Sequence, residues 1–145
     1  MVKVILRRVG ACTLGLAVLL GGAVMGNSEV QAASCWNHNG SVMRITATGG
    51  GGREIRYLQP RQVLRNAGVR RGTLLFNGFY NGRSYSGTAR RFSRFCPGSP
   101  QTYGVSGPAN NSRIVLRGNR DKNRRCQPTG VRTTDRLVFT FLYPC

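Results

Sequence analysis

Acidic side chains are scarce in this sequence: four Asp and Glu stand against 22 Lys and Arg, with a single His and a single Trp, in 145 residues. Each shortage removes a class of chemistry. General acid–base catalysis needs titratable groups held close together, and beyond residue 33 only His38, Glu54, Asp121 and Asp135 could supply them. Glu54 and Asp135 could be offered as a glycosidase-like pair, but both lie among arginines and read as surface ion-pair partners. His38 falls in Trp36-Asn37-His38-Asn39-Gly40, which reads as a turn into the first strand, with Trp36 closing one end of the fold. No Cys-x-x-Cys pair exists, so a metal site has no anchor in the spacing. No catalytic residue, metal ligand or cofactor is therefore assigned. Helical periodicity is also nearly missing, which argues against a helical bundle.

What is present begins with an export signal. Lys3, Arg7 and Arg8 form a positive start, and Val9 to Gly26 is an apolar run built on Leu14, Leu16, Val18, Leu19 and Leu20. Asn27-Ser28-Glu29 breaks the run, and Val30-Gln31-Ala32 supplies the small or tolerated residues that a signal peptidase reads. Cleavage is expected after Ala32 or Ala33, which makes residues 1–33 a signal peptide and 34–145 one basic domain. The alternative is a retained anchor, but the run is near the lower length limit for a membrane span and is rich in Gly and Ala. No transmembrane segment is expected in the mature form, and a periplasmic or secreted location follows. Ala32-Ala33-Ser34-Cys35 lacks the leucine of a lipoprotein box, and lipidation of Cys35 would leave an odd number of cysteines.

Four cysteines remain beyond the signal, at 35, 96, 126 and 145. An even count behind an export signal reads as two disulfides. Of three possible connectivities, Cys35–Cys145 with Cys96–Cys126 is preferred, the first joining the two ends of the domain and the second joining two loops.

The rest of the chain alternates and turns. Ser41–Thr48 sets Met43, Ile45 and Ala47 on one face, and four glycines from Gly49 lead into Arg53–Leu58, where Ile55 and Tyr57 share a face. Pro60 to Gly68 holds one short helical turn that stops at Gly68. Asn81-Gly82 has the composition of a two-residue type I′ hairpin turn. That turn opposes Gly78 to Tyr85, Phe76 to Gly87 and Leu74 to Ala89, and puts Leu74, Phe76, Tyr85 and Ala89 in the core with Leu75, Phe79 and Thr88 outside. Gln101–Ser106 and Arg113–Arg117 read as further strands, Gly118–Gly130 as a long basic loop, and Thr133–Tyr143 as a last strand apolar on both faces, hence central or covered. About seven strands in sequence-adjacent hairpins give an all-β fold, a small antiparallel meander barrel; the alternative is an open β-sandwich.

The arginines are the remaining feature. Lys3, Arg7, Arg8 and Glu29 precede Ser34, which leaves 19 basic and 3 acidic residues in 34–145, a formal +16. Charge of this size draws anionic partners and says nothing of fold. The densest stretch is Arg117, Arg120, Lys122, Arg124 and Arg125, with Arg90 and Arg91 where an earlier strand ends. These seven form the candidate anion-binding set, because the planar guanidinium suits phosphate and carboxylate; the competing reading is a diffuse, solvated field. Expected partners are anionic polysaccharide, lipid phosphate or an acidic exported protein. Nucleic acid is disfavoured, since no nucleic-acid-binding motif is present and most aromatics fall on core-facing positions. The leading expectation is a non-catalytic exported binding module, and the alternative is a small β-barrel inhibitor of an exported hydrolase.

Two resemblances rest on particular residues. Trp36-Asn37-His38-Asn39-Gly40-Ser41-Val42-Met43, Gly72-Thr73-Leu74-Leu75-Phe76 and Tyr85-Ser86-Gly87-Thr88-Ala89 together resemble a set of small exported bacterial β-domains of uncharacterised activity. The resemblance implies no site residues. Gly40-Ser41-Val42-Met43-Arg44-Ile45 is similar to the first strand of avidin-like barrels, which supports a barrel; the single tryptophan leaves no aromatic box for biotin.

Overall fold

The alternation and the turn residues resolve into eight antiparallel strands that close on themselves. The computed structural model describes residues 32–145, so the expected signal peptide lies, up to Gln31, outside the described residues. In chain order the strands are β1 (Ser34–His38), β2 (Ser41–Gly49), β3 (Gly52–Gln59), β4 (Leu74–Tyr80), β5 (Ser84–Arg91), β6 (Gln101–Pro108), β7 (Arg113–Arg124) and β8 (Gln127–Pro144). Each pairs with the next, and β8 returns to β1. Closure removes sheet edges, and the barrel holds over the open sandwich. A short helix, α1 (Gln62–Asn66), spans the β3–β4 connection, and Gly68 at φ 89° ends it. No helix among the described residues is long and apolar enough to cross a membrane.

The core follows the period of two. Met43 and Ile45, Ile55 and Tyr57, Tyr103 and Val105, Ile114 and Leu116, and Leu137 and Phe139 all point inward and are buried. Both expected disulfides form. Cys35–Cys145 joins the outer ends of β1 and β8, with Cα atoms 5.6 Å apart, and Cys96–Cys126 joins the β5–β6 loop to the β7–β8 turn, with Cα atoms 5.7 Å apart.

Four local expectations change. Residues 36–38, expected as part of a turn at 36–40, belong to β1, which pairs with β2 on one side and, across a bulge between Cys35 and Trp36, with β8 on the other. Trp36 is consequently an inward strand residue, edge-on to Phe141 at 5.5 Å. The Asn81 hairpin is offset by two residues from the expected register: Tyr80 opposes Tyr85, Gly78 opposes Gly87 and Phe76 opposes Ala89. Only Gly82 has positive φ there, and Asn81 Oδ1 accepts from the Arg83 and Ser84 amides at 3.0 and 2.8 Å, so a wider Asx-type loop replaces the two-residue turn. Because the offset is even, Phe76, Tyr85 and Ala89 still face inward. Leu74 does not join them. A bulge between the Ile55–Phe76 and Arg56–Leu74 pairs turns Leu75 into the core instead.

The basic stretch 118–130 is not a loop. It is the tip of a two-stranded ribbon, with Arg124 paired to Gln127 around Arg125-Cys126. Both turn residues have positive φ, 46° and 72°, the signature of a type I′ turn. The last strand is bounded on both sides by neighbours, as expected, yet its outer face is open: Thr140 and Leu142 are exposed.

Candidate functional site

Strand order decides which residues meet. One end of the barrel carries the β1–β2 turn, the α1 segment, the 92–100 loop and the Arg125-Cys126 turn. The other carries the glycine turn after β2, the Asn81 loop, the β6–β7 turn and the Cys35–Cys145 bridge. The α1 end holds the charged groups of interest, in two adjoining cavities that share Arg91 and Phe92.

The larger cavity is a cleft of about 800 Å³ between the 92–100 loop and the β7–β8 ribbon, under the Cys96–Cys126 bridge. Arg91, Arg120, Lys122, Arg124 and Arg125 line it, and among the described residues no carboxylate does. Five of the seven residues expected from sequence are thus brought together. Arg90 stands on the rim of the neighbouring cavity, where its guanidinium donates to Asn77 Oδ1 at 2.8 Å. Arg117 points to the opposite side of β7 from Arg120 and lines a separate surface hollow with Arg113 and Arg136.

Arg120 departs from the solvated picture. It is 8 % exposed, and its Nε donates to Asp135 Oδ2 at 2.6 Å. The Arg91 guanidinium stands 3.8 Å from the same oxygen, and the Tyr103 hydroxyl also hydrogen-bonds to Asp135. Burial alone would raise the Asp135 pKa, but the Arg120 and Tyr103 hydrogen bonds and the two guanidinium charges outweigh it and hold the carboxyl below its ordinary range. Burial, then the Asp135 charge, pushes the Tyr103 phenol well above its ordinary value. Asp135 is therefore an interior anchor for Arg120 rather than a surface ion pair. Lys122, Arg124 and Arg125 are left as the solvent-facing cations of the cleft, and none of them has a carboxylate partner among the described residues.

Sequence reading missed one member of this cleft. Gln101 donates from Nε2 to the Asp121 carbonyl at 3.0 Å and to Asn123 Oδ1 at 3.2 Å, while its buried Oε1 has no partner among the described residues. It places a buried, unpaired hydrogen-bond acceptor beside the cations. Nothing in the sequence marks it out.

The second cavity, about 450 Å³, is the mouth of the barrel itself, lined by His38, Tyr57, Leu75, Tyr103, Asp135 and Leu137 and rimmed by arginines. His38 is stacked on Phe139 at 4.6 Å and contacts the Val138 carbonyl through Nδ1 at 2.8 Å. Burial lowers its pKa, the Val138 hydrogen bond opposes this, and the nearby Arg61 charge lowers it further. No carboxylate orients the ring, so a relay from an acid through His38 to a nucleophile is not assembled. Glu54 is occupied by Arg56 at 2.9 Å and Asp135 by Arg120, so the two carboxylates do not act as a pair. Among the described residues no three His, Cys, Asp or Glu side chains gather to hold a metal ion. Set against protein-family models, curated proteins and solved structures, the chain matches none.

Proposed function

We propose that the protein is an exported, non-catalytic binding module whose cleft takes anionic envelope material, an acidic polysaccharide first among the candidates. The observation that carries this reading is the convergence of Arg91, Arg120, Lys122, Arg124 and Arg125 on one cleft that no carboxylate among the described residues lines. Guanidinium forks favour carboxylate and phosphate oxygens. Gln101 Oε1 is buried and unpaired beside these cations, so a side-chain rotation toward the cleft would let it accept a hydroxyl, which a polysaccharide carries beside its acid groups and a simple phosphate ester does not need. The signal-like start and the two disulfides support export to an oxidising compartment.

The test uses oligogalacturonate and two variants of equal net charge. Lys122→Gln/Arg124→Gln/Arg125→Gln removes three solvent-facing cations from the cleft and leaves Arg91 and the Arg120–Asp135 pair in place. Arg44→Gln/Arg83→Gln/Arg113→Gln removes three exposed cations that line no part of the cleft. The first variant should bind at least about tenfold more weakly than the parent, the loss expected when one or more charge-assisted hydrogen bonds disappear. The second should stay close to the parent. Parent binding should weaken as salt rises, because the exposed charges are screened over about 8 Å at physiological ionic strength. Equal losses in both variants would mean a diffuse field without a site. If neither variant binds less, the anionic reading fails. The inhibitor reading then takes its place, with Phe95, exposed at the same end of the barrel, as its apolar contact.

A further inference from the structure

The barrel mouth beside the cleft contains polar groups that anion binding in the cleft does not use. Its floor is Leu75 and Leu137 with the rings of Tyr57 and Tyr103, and Phe92 forms part of the wall. Two side chains lining it are more than nine-tenths buried as whole residues, and each keeps one polar atom that solvent in the mouth can reach and that has no partner among the described residues. His38 spends Nδ1 on the Val138 carbonyl, which places the proton there and leaves Nε2 as a bare acceptor. The Tyr57 hydroxyl makes no hydrogen bond among the described residues, and burial raises its pKa to about 12, so it remains a donor at any physiological pH. Arg61 lines the same mouth as Tyr57 and His38, and its charge acts on both groups. Arg61 and Arg136, both on the rim, have no carboxylate partner among the described residues. Asp135, the acid that lines the mouth, is already held by Arg120.

An apolar floor, one unpaired donor, one unpaired acceptor and a cationic rim specify a ligand. A ligand in the mouth displaces the water these groups can reach, so one that pairs them gains more than one that merely fills the space. We propose that the barrel mouth binds a small amphipathic hydroxycarboxylate: its apolar body lies on Leu75, Leu137 and Phe92, its carboxylate accepts from Arg61 and the Tyr57 hydroxyl, and its hydroxyl donates to His38 Nε2. This site adjoins the cleft through Arg91 and Phe92, but the proposal does not rest on anion binding there.

Calorimetric titration of the protein at pH 7.5 with 3-hydroxydecanoate, decanoate, 1-decanol and acetate tests each part. The hydroxy acid should bind tightest, decanoate several-fold more weakly, and the alcohol and acetate more weakly again. Tyr57→Phe removes one oxygen and keeps the packing, and Arg61→Gln alters an exposed side chain. Each should weaken 3-hydroxydecanoate at least about fivefold, with Arg44→Gln/Arg113→Gln unchanged. Three results would overturn the proposal: no binding of either acid, equal affinity for decanoate and its hydroxylated form, or the same loss in Lys122→Gln/Arg124→Gln/Arg125→Gln as in Arg61→Gln, which would place the ligand in the cleft.

Discussion

Arg120 and Asp135 show how much a single residue's position on a strand determines. Along β7 the inward set runs Ile114, Leu116, Gly118 and Arg120, and along β8 it runs Asp135, Leu137 and Phe139. The period of two therefore carries both charged groups inside, at the end of the barrel where water reaches the last layer. That parity was legible in the sequence. Reading every charge as solvated hid it, because strand phase, and not side-chain type, decides which face a residue takes. His38, at the end of β1, lines the same barrel mouth as Asp135, and its case yields a prediction. Burial lowers its pKa below the ordinary 6.5, so the unfolded chain takes up the proton more readily than the folded one. Stability from this group is complete above about pH 6.5 and falls as the pH drops from there through the folded value. His38 is the one histidine of the chain, and carboxylates titrate at lower pH, so the loss between pH 7 and 5 belongs to it. Urea midpoints should fall over that interval in the parent and stay level in His38→Gln. A parent midpoint that does not move would mean that the ring is charged in the fold.

Turns, rather than strands, are where the elements departed from expectation. Asn81-Gly82 carries the composition of a type I′ turn and does not form one; Arg125-Cys126 carries none of it and does. The physical reason is that a turn must satisfy the strands on both sides of it. At the first hairpin, the Gly78–Gly87 pair fixes the register. A Cβ on Gly87 would stand 2.6 Å from Gly78 Cα and nearer still to the Asn77 carbonyl oxygen, and the Phe76 ring covers Gly78. This tight crossing holds the strands two residues out of step with the simplest loop, and Asn81 adapts by hydrogen-bonding onward. At the second hairpin, the bridge from Cys126 to Cys96 anchors the tip from outside the ribbon. Substitution separates packed from open glycine. Gly87→Ala should destabilise the domain by about 1–3 kcal/mol, the usual range for forced overpacking. Gly104→Ala, where a Cβ would meet nothing within 4 Å, should be neutral or stabilise by up to about 1 kcal/mol through the unfolded chain. Urea denaturation of the two variants checks both signs; equal behaviour would mean that β4 and β5 do not approach so closely at this pair.

Over the whole molecule, the two disulfides do different work because they sit at opposite ends of the barrel. Alternation and frequent turns were enough to reach an antiparallel barrel from sequence. The strand that closes it, β1, was not recognised, because Ser34–His38 is short and its Asn and His are poor strand formers; it holds by pairing with β2 and β8 at once. Cys35–Cys145 secures that closing strand across a separation of 110 residues, away from either cavity. Cys96–Cys126 spans only 30 residues, but it ties the loop on one side of the cleft to the ribbon on the other. Loop-closure entropy makes the longer bridge worth more, about 4–5 kcal/mol against about 3–4 kcal/mol for the shorter. Affinity should rank the other way. Without the Cys96–Cys126 bridge, Arg91 on one wall and Lys122, Arg124 and Arg125 on the other are no longer held at a fixed spacing, and ordering them on a ligand takes entropy from binding. Cys35→Ala/Cys145→Ala should therefore lose more stability to urea while keeping the parent's affinity for oligogalacturonate, measured below its unfolding range. Cys96→Ala/Cys126→Ala should lose less stability and bind more weakly. If the two variants weaken binding equally, fold stability alone governs the site, and the bridge over the cleft has no part in shaping it.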